Sequence, residues 1–351
     1  AKYITASSLS PDGKRLAVTA RGEVFNVPVE NGVTKNITRT PGAHERGAKW
    51  SPDGKYIAYI SDKTGETELY LQEVTAGEPI QLTKRNTTYI RSLEWSPDAK
   101  KIIYTDRKNR LNMVDVASKQ VTTLWQDPIG EPRGVVFSPD SKWLTYTRTA
   151  DNEHSIVYVY NLDEKKEYPV TDKWYDSSSP VFSTDGKYLI FTSARDFNPT
   201  YGSLEWNHVY NNMNGIYLAL LSKETPSPFI GKDAEVTIKN DEGKEGKPEQ
   251  KGVKASTSVS FDPEGITDRI VKLPVDPSYF RNFYSDGKKV YYWKRGGTYA
   301  YDLHKQKEDI VANGAMMMVA SGNKKAIFSK GRTLYVKDIP MGKAHLDEPI
   351  D

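Results

Sequence analysis

Cysteine is absent from the 351 residues. That excludes disulfides, thiolate metal sites and a cysteine nucleophile. Cytoplasm and bacterial periplasm both tolerate such a composition, so the absence does not separate them. No apolar run approaches the ~18 residues that a membrane-spanning helix needs. Neither sign of charge dominates: 49 basic and 46 acidic residues leave a net charge of +3. A nucleic-acid binder would show a basic stripe, and this balance argues against one. Familiar catalytic signatures are missing too. There is no Gly-x-Ser-x-Gly elbow and no His-Glu-x-x-His pair, and Gly-Lys is never followed by Ser or Thr. The five histidines, at 44, 154, 208, 304 and 345, are scattered and read as surface or loop residues. Nothing in the pattern asks for a metal or a cofactor. No catalytic residue is assigned.

What is present is a repeated turn. "LSPDGKRLAVTA" starts at Leu9, "WSPDGKYIAYIS" at Trp50 and "WSPDAKKIIYTD" at Trp95. "FSPDSKWLTYTR" follows at Phe137 and "FSTDGKYLIFTS" at Phe182. Each copy ends one strand on an apolar residue, turns through Ser-Pro-Asp-Gly and opens an alternating strand. Proline presets φ, aspartate bonds locally, and glycine takes a left-handed conformation without steric cost. Ala99 and Ser141 replace that glycine and predict a strained site at each, costing roughly 1 kcal/mol. Two further strand-like runs follow each hairpin, such as "ELYLQEV" and "EPIQLT" in the second copy.

The turn serines fall at 10, 51, 96, 138 and 183. Four antiparallel strands repeating at ~40–45 residues describe a β-propeller blade. Weaker copies begin at Tyr284 and Ala320. The spacing predicts an all-β, seven-bladed propeller of four-stranded antiparallel blades. The blades run at about 1–40, 45–84, 88–126, 132–172, 176–276, 278–313 and 314–351. Blade five carries insertions at 195–214 and 230–258, with "GIYLALL" as its third strand and "TDRIVKLPV" as its fourth. The chain opens with a first strand, and its closing "DEPID" reads as the start of a fourth. No strand is left to be shared between the first and last blades, which predicts an open ring closed by side-chain packing. The same ends suggest a processed start and further protein beyond Asp351.

The insertion from Arg195 to Asn214 is the candidate functional segment. It is rich in Tyr, Trp and Asn, and Arg195, Asp196, Trp206 and His208 are its candidate binding residues, with Glu205 beside them. A flap over blade five is the structural alternative. The glycine-rich, charged segment 231–254 reads as mobile. Trp50, Trp95, Phe137 and Phe182, just before the turns, read as inter-blade core, and Met316–Met318 as core on one face of a strand.

Three stretches carry a narrower resemblance. "TARGEVF" lies in the first blade, "SARDFNPTYGSLEWNHVYNNMNGIYLALL" begins at Ser193, and "DPEGITDRIVKLPV" begins at Asp262. With the turns, they resemble the second, seven-bladed propeller of tricorn-type serine proteases across nearly the whole chain. The resemblance implies a non-catalytic module that gates oligopeptides on their way to catalytic domains outside this chain. It implies as partners peptide substrates and the PDZ and catalytic domains of a parent chain. That parent would be hexameric and cytoplasmic, and the isolated module a monomer. Two alternatives share the turns. One is a stand-alone binding propeller of the periplasmic envelope-integrity kind, which would lack "RDFNP". The other is the propeller of a dipeptidyl-peptidase relative, whose substrate-holding Glu-Glu pair has no counterpart here.

Overall fold

In a computed structural model the described residues are 4–350, apart from 76, 197–198, 202–207, 211–212, 230–257, 321 and 323. They form seven antiparallel sheets arranged as blades, and a separate two-stranded hairpin. Helical structure among them is confined to one 3-10 turn, Ile266–Arg269.

The repeated serine explains why the turn recurs. In blade two the buried Ser51 hydroxyl donates to Asp53 Oδ1 at 2.6 Å and accepts the Tyr56 N–H at 2.9 Å. Asp53 in turn accepts the Lys55 N–H at 3.1 Å. Ser10, Ser96, Ser138 and Ser183 make the same pair of contacts. One serine thus satisfies a buried strand N–H and orients the aspartate that holds the turn. Gly13, Gly54 and Gly186 sit at φ of 75°, 74° and 72°, and Ala99 and Ser141 take the same left-handed backbone at 58° and 62°.

The first strands of the blades are Ile4–Leu9, Glu45–Trp50, Ile90–Trp95, Arg133–Phe137, Ser177–Phe182, Arg281–Ser285 and Met316–Val319. Each touches the next in turn, so they form the inner ring around the axis. Trp50, Trp95 and Phe137 are buried between successive blades, and Phe182 packs partly buried at the same level. Met317 enters the core while Met318 is exposed, the alternation expected of a strand.

Ring closure uses no shared strand, and the first and last blades belong to separate sheets. Leu9, Leu16 and Val18 of blade one pack instead against Ala320 and Ile327 of blade seven. Blade seven has three strands, and the Ile350 N–H donates to the Leu334 carbonyl at 2.8 Å where a fourth would pair.

Blade five differs in detail from the reading above. Its third strand is Gly215–Leu220, but the fourth is only Ile270–Lys272, preceded by the 3-10 turn. Gly265 at φ 66° starts that turn. The Arg269 guanidinium then wraps back to the carbonyls of Leu220, Glu264 and Asp262. Those bonds hold the chain away from the extended form until Ile270. The first insertion contains the separate hairpin, in which Pro199–Tyr201 pairs with His208–Tyr210.

Candidate functional site at the linker face

Antiparallel strands alternate direction, so the propeller has two unlike faces. The Ser-Pro-Asp turns lie on one, the turn face. The blade-to-blade linkers, the second-to-third-strand connections and hence the 195–214 insertion lie on the other, the linker face.

Their chemistry differs. Every arginine except Arg15 and Arg269 sits in a linker-face loop or at the strand end next to one. The exposed aromatics Tyr89, Trp174, Tyr175 and Tyr279 all lie on linkers, with Trp174 80% exposed. The turn face instead carries aspartates beside lysines, as in Asp53 with Lys55 at 3.8 Å and Asp185 with Lys187 at 3.9 Å. Arginine with tyrosine and tryptophan is the composition of binding surfaces, and aspartate beside lysine is that of a solvated one.

Two of the expected binding residues are defined on this face. The Arg195 Nε donates to Ser193 Oγ at 3.1 Å, and its guanidinium lies 5.4 Å from the Tyr175 ring and 5.3 Å from the Tyr217 ring. Asp196 pairs with Lys272, and its N–H donates to the Met213 carbonyl at 3.0 Å. Burial and the Asp196 charge push the Tyr217 hydroxyl up to about 12. Arg195 Nη2 and Asp196 Oδ2 are buried, and neither has a hydrogen-bond partner among the described residues. Gly215 leaves the room that Asp196 occupies, since a Cβ there would come within 2.5 Å of Asp196 Oδ2 and push that carboxylate aside. Trp206 and Glu205 lie outside the described residues. His208 is placed on the hairpin by its backbone alone. Arg195 and Asp196 are therefore neighbours held by blade five.

Sequence reading missed a second cluster. Arg46, Arg91 and Arg133 each stand five residues before a turn serine. In blades two, four and six an arginine precedes a left-handed residue at an inner-strand bulge: Arg46 before Gly47, Arg133 before Gly134, and Arg281 before Asn282. A bulge bends the strand and re-aims its side chains. The Arg46 guanidinium lies 3.6 Å from the centre of the Tyr89 ring in the next linker, and that of Arg107 lies 4.6 Å from it. Arg133 reaches Ser155 Oγ at 2.9 Å, and Arg281 lies 4.2 Å from the Trp293 ring. The signal available was the arginine's fixed offset from the turn. A groove of about 250 Å³ opens between the inner strands of blades three and four, with Ser92, Glu94, Gly134 and Val136 in its wall.

Among the described residues no group of three or more metal-ligating side chains converges. The His154 ring meets Asn152 and the Lys173 carbonyl rather than a serine. No helix of the described residues is long and apolar enough to cross a membrane.

Comparison with known proteins gives the geometry a context. The family described as tricorn protease second beta propeller domain matches residues 4–339. Tricorn protease homolog 1 of Streptomyces coelicolor is 27% identical over 285 residues, covering 78% of this chain and 26% of that protein. A putative tricorn-like protease C-terminal subunit of Sulfurisphaera tokodaii is 24% identical over 272 residues, 78% of this chain and 24% of its own. The crystal structure of the tricorn protease superimposes with a TM-score of 0.80 at 15% identity, over 96% of this chain and 33% of that one. The chain therefore spans about a quarter of the length of these curated relatives.

Proposed function

The chain belongs to the family of tricorn protease second beta propeller domains, and from that membership we propose that it is a non-catalytic module of a serine peptidase. In this reading it admits oligopeptides along the propeller axis to catalytic domains carried elsewhere in a longer protein. The family match over residues 4–339 is the observation that carries it. The inner ring of first strands and the unlike faces support the reading, because a passage needs a wall and a face that attracts its cargo. The mechanism is passive: the ring sets the width, the linker face sets the charge, and no bond is made or broken. Extended chains would pass and folded domains would not. The PDZ and catalytic domains would be its covalent partners in a cytoplasmic, oligomeric parent. The test is a peptidase assay on the purified chain. No cleavage of oligopeptides is expected, and cleavage that follows the chain through purification would overturn the assignment.

A further inference from the structure

The Arg46, Tyr89 and Arg107 cluster joins blades two and three at the linker face. Arg46 comes from an inner strand, Tyr89 from the linker that opens the next one, and Arg107 from a second-to-third-strand turn. The backbone fixes the group, since the Arg107 N–H donates to the Tyr89 carbonyl at 3.0 Å. Arg46 is half-buried and bonds the Ile90 carbonyl. Lys108 adds a third cation, its Nζ donating to Thr87 Oγ1 at 3.1 Å.

Two guanidiniums on one ring repel each other unless an anion lies between or beside them. Burial lowers the Arg46 pKa from its usual value and the Arg107 charge acts in the same direction, against the opposing effects of Tyr89 and the Asp62 charge. No carboxylate among the described residues forms an ion pair with either arginine. Asp62 acts on Arg46 only from beyond ion-pair distance, and three acids of blades two to four have other partners. Asp62 accepts the His44 N–H at 2.7 Å, Asp106 pairs with Arg110 at 2.7 Å, and Glu131 pairs with Arg91 at 2.7 Å. Tyr89 is 37% exposed, so the cluster is open to solvent. Arginine's planar fork matches a carboxylate bidentately, and a tyrosine beneath it holds the fork in place.

We propose that Arg46, Tyr89 and Arg107 form a carboxylate-binding site that takes an acidic side chain or the free terminus of an extended peptide beside the inner ring. The proposal rests on the peptide-admission reading and names the class of peptide favoured: acidic over basic. Lysine-rich peptides would meet the same cations and be turned away.

The experiment uses the full chain and a rhodamine-labelled, glutamate-rich peptide at low salt, read by fluorescence anisotropy. Two further peptides separate the sources of the carboxylate. One carries Gln for every Glu, and the other keeps Glu but ends in an amide; a control combines both changes and carries no carboxylate. Arg107→Gln weakens the glutamate peptide roughly tenfold, the loss of one charge-assisted contact. It leaves the all-Gln, amidated peptide unchanged. Arg46→Lys gives a smaller loss than Arg46→Gln, because a point charge survives without the fork. Added salt weakens the wild-type complex more than the Arg107→Gln complex. Arg107 is exposed, and among the described residues its side chain rests on the Tyr89 ring, so unchanged thermal unfolding of Arg107→Gln separates lost binding from lost fold. Equal affinity for the glutamate peptide and the carboxylate-free control, or full affinity in Arg107→Gln, overturns the site while leaving the admission reading intact. Absence of binding by any peptide overturns the site as well, and the admission reading is then judged by the deletion described below.

Discussion

Ala99 and Ser141 occupy the same position in two copies of the turn, and only Ser141 makes a side-chain hydrogen bond there. Both are left-handed, which costs an L side chain roughly 1 kcal/mol relative to glycine. Ser141 offsets that cost: its Oγ accepts the Asp98 N–H of the neighbouring turn at 3.1 Å. No such bond is made by the alanine methyl. Ala99→Gly is therefore expected to raise unfolding stability by about 1 kcal/mol, while Ser141→Gly gains little or loses. Denaturant unfolding of the two variants measures the difference, and equal gains would discard the role given to the hydroxyl. The turn was legible in the sequence because Ser-Pro-Asp-Gly states its own backbone. The Ser141 bond was not, since it joins residues 43 apart across a blade boundary. Arg46 and Tyr89 were hidden for the same reason. Each looks like an ordinary surface residue until two blades bring them together.

At the scale of the strand and its linker, the hub of blade four is charged. Arg148, near the end of the second strand, bonds Asp127 at 2.6 Å and Glu167 at 2.7 Å, and Tyr146 donates to Glu167 at 2.6 Å. Burial alone would raise the Asp127 carboxyl. The Ile129 N–H, the Arg148 guanidinium and the Gly130 N–H outweigh it and hold the group below the usual carboxylate value. A depressed acid stabilises the fold above its unfolded value near 3.8 and loses that contribution as pH falls through the lower folded value. Unfolding stability should therefore fall below about pH 4, and Asp127→Asn should remove part of that slope. The substitution should also cost about 2 kcal/mol at neutral pH, because it weakens a bond to a charged partner. An unchanged acid limb in Asp127→Asn would refute this. Blade five shows where pattern reading failed at the same scale. "TDRIVKLPV" alternates like a strand, yet Arg269 caps three carbonyls and keeps its first residues in a 3-10 turn. Alternation reports which side chains can face a core, and it is silent about a guanidinium that captures backbone oxygens. The blade count survived because it rests on seven recurrences rather than on any one strand.

For the whole molecule, the closure of the ring and the passage of peptides are the two claims. Among the described residues the first and last blades meet through side-chain packing, so the seam between blades one and seven should be the most sensitive place to truncate. Ile327, 2% exposed in that seam, is expected to cost about 2–5 kcal/mol as Ile327→Ala. Hydrogen exchange should rise first in blades one and seven. A rise spread evenly over all blades would mean that the seam is not the weak point. The open ring was readable from strand order at the two ends of the chain, whereas the unequal faces needed the assembled propeller.

Passage is tested most directly in the longer peptidase proposed above, by removing the segment equivalent to residues 4–339 and assaying a long and a short peptide side by side. The account predicts that turnover of the short peptide is largely kept while discrimination between the two lengths is lost. Equal loss for both lengths, or unaltered discrimination, would contradict it.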